Sequence, residues 1–182
     1  ITALLNNLRE SFQARAATLE LAFSYFSEKE SPITKTKSLM AYPARLTCCC
    51  SDTTDVVTSV DIPVSTLCPC SQATSNYGAH SQRCTISISA RLSSFPGLDR
   101  LIHLAEQSAS SEIFPLLQRP DEKAVTEKLY DTPMSAGDVA EKLTARLNDA
   151  ADISWYSLEI LNQESIHQYD TVVAISGPAQ TT

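Results

Sequence analysis

Residues 63–83, PVSTLCPCSQATSNYGAHSQR, join two runs of alternating apolar and polar residues. Upstream, residues 56–67 read as a strand, with a bulge expected near Pro63 because proline cannot donate to the ladder. Downstream, RCTISISARL (83–92) places Ile86 and Ile88 on one face of a second strand. A Cys-Pro-Cys and a Ser/Asn/Gly turn fill the connection. The same stretch holds Cys68, Cys70 and His80 in a chain with only 3 histidines. Thiol and imidazole groups at that spacing suit a metal ligand set or a nucleophile. The plain alternative is two small thiols packed at a strand end. No second Cys/His pair lies near, so a closed zinc finger does not fit.

Outward from there, most of the first half reads as strand. Residues 1–13 put Leu4, Leu5, Leu8 and Phe12 at helical spacing. Residues 15–27 alternate Ala17, Leu19, Leu21 and Phe23 with Thr18, Glu20 and Ser24, which is strand spacing. Residues 27–37 form a polar connection, 38–50 a second strand and 51–55 a turn. After a break at Pro96-Gly97 the character changes. Residues 98–108 carry an apolar helical face of Leu98, Leu101, Ile102, Leu104 and Ala105. Arg119-Pro120-Asp121-Glu122 reads as a helix start, with proline in the first turn and acids at the positive end of the dipole. A helix over 135–148 has Val139, Leu143 and Leu147 four apart, two strands follow at 153–162 and 171–176, and 178–182 is a tail. The order predicts an α+β fold, an antiparallel sheet with helices packed on one face, and a single region over 1–182.

Composition narrows the function. The chain is 43% hydrophobic and 19% charged with a net charge of −7, an ordinary globular balance. Its acidity argues against nucleic acid as a partner, although Arg83, Arg119 and Lys123 could hold a small phosphate locally. No apolar run is long enough to span a membrane and no signal segment opens the chain. The 6 cysteines include the adjacent Cys48, Cys49 and Cys50, unlike a disulfide framework, so a reducing, cytoplasmic setting is expected. With 4 glycines there is no Gly-rich phosphate loop. Unaided, His103 reads as structural, His167 as a turn residue, and Asp121 and Glu122 as dipole compensation.

LCPCS (67–71), YGAHSQR (77–83), RPDEKAVTE (119–127) with YDTP (130–133) behind it, and ESIH (164–167) resemble, in this order, the motifs of the type IB family of GTP cyclohydrolase I. Residues 21–40 and 101–120 also resemble segments of that family, so the resemblance covers nearly all of the chain. It implies a tunnelling fold, and a homo-oligomer (a tetramer) with active sites between subunits. It implies hydrolysis of GTP to formate and 7,8-dihydroneopterin triphosphate, on the route to folate-type pterins. It also implies that the family's N-terminal portion is absent ahead of Ile1. Carried over by motif, Cys68, His80, Glu122 and His167 would be the metal ligands, with Cys68 and Glu122 catalytic. Cys70, Arg83 and Lys123 would bind substrate, with Lys35 and Lys37 as further triphosphate candidates. A thiolate, two imidazoles and a carboxylate suit zinc, and also admit manganese or iron.

One departure stands out. The resemblance places a ring-anchoring glutamate where this chain has Gly137. Asp138, Glu141 and Glu112 are the candidate replacements. The alternative expectation is therefore a divergent tunnelling-fold protein that binds a purine or pterin with weak or altered activity. The Cys48–Cys50 run is not a recognised feature of the family.

Overall fold

A computed structural model describes residues 1–93 and 97–178. In chain order the elements are α1 (Thr2–Phe12), β1 (Ala17–Glu30), β2 (Lys37–Cys50), β3 (Thr54–Leu67), α2 (Pro69–Thr74), β4 (Ser81–Leu92), α3 (Leu98–Glu106), β5 (Ser111–Glu112), α4 (Arg119–Asp131), α5 (Ala136–Asn148), β6 (Ile153–Gln163) and β7 (Thr171–Pro178). The strands make one antiparallel sheet in the order β1-β2-β3-β4-β6-β7, with β5 pairing β3 off this path.

Alternation decides which face is covered. Val60, Ile62 and Val64 of β3, Ile86 and Ile88 of β4, and Leu158 and Ile160 of β6 are all buried in one cluster. Leu98, Leu101 and Leu104 of α3 and Val139, Leu143 and Leu147 of α5 close the same cluster, so both helices lie on that face. The intervening residues Ser59, Asp61, Ser87 and Ser89 form the other face, where Ser59 pairs with Ser89 and Ser87 donates to Asp61. At the far end α1 places Leu5 against Leu46, Cys48 and Cys50. The cysteine run follows the pleat, with Cys48 and Cys50 buried and Cys49 turned to the opposite side.

Four local expectations are revised. The β1–β2 hairpin is longer than the polar composition of 27–37 suggests, and the connection shrinks to 31–36. The cause is Lys29, which turns inward to Glu106 at 2.7 Å and Glu112 at 2.5 Å. Pro63 makes no bulge. It faces Thr85 in register, and the β4–β6 ladder shifts instead at Arg91/Leu92. On its other side β3 has no strand partner between Val60 and Val64, where a missing N–H costs least. Residues 69–74 are helical because Cys68 caps them and Pro69 is pre-set for the first turn. His103 sits on the exposed side of α3 against Gln107 rather than among its apolar neighbours. Ser135 caps α5 through a capping box with Asp138, and the helix itself is where the apolar spacing puts it. The break at Pro96 and the tail beyond 178 fall outside the described residues. No helix among those residues is long and apolar enough to cross a membrane.

Candidate metal centre

The ends of β3 and β4 bring the first two sequence candidates together. Leu67 pairs with Ser81, and the Cys68 N–H then donates to the His80 carbonyl at 3.3 Å. Cys68 is the N-cap of α2, its Sγ accepting from the Ser71 N–H at 3.4 Å. His80 is half-buried and its Nδ1 lies 2.9 Å from Ser165 Oγ, leaving Nε2 as the ring nitrogen for a ligand.

Ser165 is held in turn by its neighbour. Glu164 accepts from Asn162 Nδ2 and Thr171 Oγ1, each at 3.0 Å, and from Gln82. Asn162 is itself pinned by Thr66 Oγ1 at 2.7 Å. This network fixes the start of the 164–170 turn to the sheet. His167 lies in that turn, exposed, with its ring stacked on Tyr169 at 4.9 Å. Arg83, exposed on β4, lines a cleft of about 340 Å³ with Ser65, Ser81, Gln163, Glu164 and Ser165. Cys70 is exposed on α2.

Helix α4 carries the other candidates. Glu122 accepts from Arg119 at 2.6 Å, and Lys123 faces Glu127 at 3.7 Å. Lys35 and Lys37 pair with Glu30 and Glu28 at 3.3 and 2.8 Å. The residue that the sequence reading undervalued is Asp121. Its buried carboxylate closes the capping box with Gln118 and also accepts from Ile33 N at 2.9 Å, Thr34 N at 2.8 Å and Thr34 Oγ1 at 2.6 Å. It thereby ties the tip of the β1–β2 hairpin to the helix that bears Glu122. Burial pushes this carboxyl up, but the hydrogen bonds from Thr34, Gln118 and Ile33 outweigh it and hold the group well below the usual carboxylate range.

A depressed carboxyl adds stability above its unfolded pKa of about 3.9 and loses it as pH falls toward the lower folded value. The wild type is therefore expected to lose stability below about pH 4 more steeply than Asp121→Asn, which has no such group to titrate. Urea unfolding at a series of pH values measures this, and parallel profiles for the two proteins would count against it.

A thiol and an imidazole fixed by adjacent backbone fit half of a divalent-metal site. Among the described residues no three His, Cys, Asp or Glu groups converge on one metal position. Within one chain, Glu122 and His167 are thus not brought to the Cys68–His80 pair.

An antiparallel sheet backed on one face by helices, with chemistry-bearing residues gathered beyond its strand ends, is the architecture of the tunnelling-fold class. Within that class, the chain belongs to the type I GTP cyclohydrolase folE2 family, whose model matches residues 1–173. It is 41% identical over 172 residues to the GTP cyclohydrolase FolE2 of Geobacter sp. (strain M21), covering 94% of this chain and 64% of that protein. It is 40% identical over 172 residues to the FolE2 of Citrifermentans bemidjiense, with coverage of 94% and 64%. To that of Syntrophotalea carbinolica it is 38% identical over 178 residues, with coverage of 98% and 67%. The chain spans just under two thirds of the length of the first two relatives.

Proposed function

We propose that this chain is a metal-dependent GTP cyclohydrolase, converting GTP and water to formate and 7,8-dihydroneopterin triphosphate for pterin and folate synthesis. The observation that carries the reading is the Cys68–His80 pair beside the Arg83 cleft, in a chain of this family. Cys68 Sγ and His80 Nε2 would hold a zinc, manganese or ferrous ion, with Glu122 and His167 completing the set. Bound there, the ion supplies Lewis acidity and makes water a nucleophile near neutral pH.

The chain's own groups do the rest. The Ser165 contact keeps the His80 proton on Nδ1 when Nε2 is a ligand. Arg83 presents a guanidinium to the triphosphate from the cleft wall, a role Lys123 shares from α4. The carboxyl of Glu122, the thiol of Cys70 or a protonated Cys68 displaced from the ion would deliver a proton to the guanine ring nitrogen as the imidazole ring opens. Cys70 faces the bound substrate.

Since Glu122 and His167 do not reach Cys68 within one chain, the complete site would form between copies of a homo-oligomer, a tetramer in our reading. Both outer strands support this. β1 exposes Leu21 and Phe23 at 42% and 43%, and β7 exposes Val172 at 56%. The acidic surface gives nucleic acid no role, and a cytoplasmic location fits a GTP-consuming enzyme with six free thiols.

The test is direct. Protein loaded in turn with zinc, manganese and ferrous iron is incubated with GTP, and formate is measured. Formate release at turnover with at least one metal is expected, and none with all three would refute the reading. A second reading, a purine- or pterin-binding protein with weak activity, is favoured by Gly137. Asp138 beside it is committed to the Ser135 cap and Glu112 to Lys29. GTP binding by calorimetry without formate would select that reading.

A further inference from the structure

The segment between Cys68 and His80 has little of its own to hold it. Helix α2 buries no residue, and Tyr77 is fully exposed. What fixes it is polar, and two of the bonds end on one residue. The Ala79 N–H donates to Tyr130 Oη at 2.8 Å, and Gln72 Nε2 donates to the Tyr130 carbonyl at 2.9 Å. Tyr130 sits in the last turn of α4. The helix end is itself anchored where Thr132 Oγ1 donates to the Ser110 carbonyl at 3.0 Å.

Gly78 is shaped to this contact. Its φ is +116°, a region that residues with a Cβ rarely adopt, and a Cβ there would overlap the Tyr130 hydroxyl. The phenol thus rests where a side chain at 78 would be, one residue before Ala79 and two before His80.

We infer that Tyr130 is a positioning residue for the metal centre, its hydroxyl setting the backbone from which His80 meets Cys68. The inference rests on the proposed metal site. It adds a residue that touches neither metal nor substrate, and it makes α4 the common support of Glu122 and of the Cys68–His80 loop.

The test is a double-mutant cycle read in metal affinity by chelator competition and in the thiolate band of the cobalt-substituted protein. Tyr130→Phe keeps the ring and removes the acceptor. It is expected to weaken metal binding about tenfold, the lower end for loss of an outer partner, with little change in melting temperature. Gly78→Ala is expected to weaken it as well, but by less in the Tyr130→Phe background, because the overlapping hydroxyl is gone while the backbone strain is unchanged. Additive effects of the two substitutions, or an unchanged affinity in Tyr130→Phe, would overturn the assignment. Hydrogen exchange at the Ala79 amide needs no metal. It is expected to be slow in the metal-free wild type and fast in Tyr130→Phe, and equal rates would overturn the assignment even if the wild type takes up no metal. Slow wild-type exchange in a protein that binds no metal would leave Tyr130 as the anchor of this loop while refuting the metal site itself.

Discussion

Lys29→Met is expected to destabilise the fold by about 3–5 kcal/mol, the usual cost of removing one partner from a buried ion pair. Lys29 and Glu106 are each more than nine-tenths buried, and their 2.7 Å contact is shared with Glu112 at 2.5 Å and with Tyr42, which donates to Glu106 at 2.8 Å. The Lys29 ammonium also lies 5.1 Å from the centre of the Phe114 ring. Taking Lys29 away leaves the two carboxylates with only the half-exposed Lys128, 3.9 Å from Glu112, as a cation. Burial already pushes the Glu106 carboxyl up, and loss of Lys29 raises it further. An acid whose folded pKa is raised contributes stability below its unfolded pKa and loses it as pH rises through the folded value. The deficit of the variant should therefore shrink as pH falls toward about 4 and grow as pH rises through the raised folded value. Adding Glu106→Gln should recover much of it, because the amide can still accept from Tyr42. Chemical denaturation of wild type, single and double variants across pH measures all three outcomes. A Lys29→Met loss below about 1 kcal/mol at neutral pH would mean that the cluster is already partly neutral or solvated.

For the proposed cyclohydrolase activity, Gly137→Glu is expected to raise kcat/KM for GTP by about 10- to 100-fold, the worth of one charge-assisted hydrogen bond of about 1.5–3 kcal/mol. Gly137 is in the first turn of α5, and the Met134 N–H just before that helix donates to the Leu67 carbonyl at 3.1 Å, next to Cys68. A side chain there starts close to the end of the sheet where the metal site is proposed. There is room for it: a Cβ would meet only Ser135 Oγ, at an ordinary 3.6 Å. The positive end of the helix dipole would keep the new carboxylate ionised, ready to accept from the guanine ring edge. The substitution also replaces a glycine inside a helix, so it should not cost stability. Formate release as a function of GTP concentration reads the effect. A more stable variant with unchanged kcat/KM would show that the ring is not held from this position.

The parts of this fold that were legible in sequence are those set by near neighbours. Alternation at Ile86 and Ile88, the four-residue spacing of Val139, Leu143 and Leu147, and the helix start at Arg119-Pro120 all act within a turn or a strand, and all are found. The misread parts depend on residues distant in the chain. Lys29 looked like one charge in a polar connection because its acceptor Glu106 is 77 residues away. Asp121 looked like dipole compensation because three of its four donors belong to a hairpin tip 87 or 88 residues earlier. Tyr130 stood in the YDTP motif but with no role to read, since its partner is the backbone N–H of Ala79, and any residue but proline would offer one. Of the candidate site, the motif resemblance named four ligands, and the fold of one chain joins only Cys68 and His80.

The long β1–β2 hairpin has a consequence for the order of events during synthesis. Its own ladder is local and can form as soon as Cys50 is made. Both of its anchors, Glu106 on α3 and Asp121 on α4, are then still untranslated. At about 5–20 residues per second the hairpin waits seconds on the ribosome for them. During that interval Lys29 is solvated and the apolar side of β1 is open. The charge that makes the hairpin expensive to bury alone also keeps its inner face from closing on the wrong surface before α3 arrives.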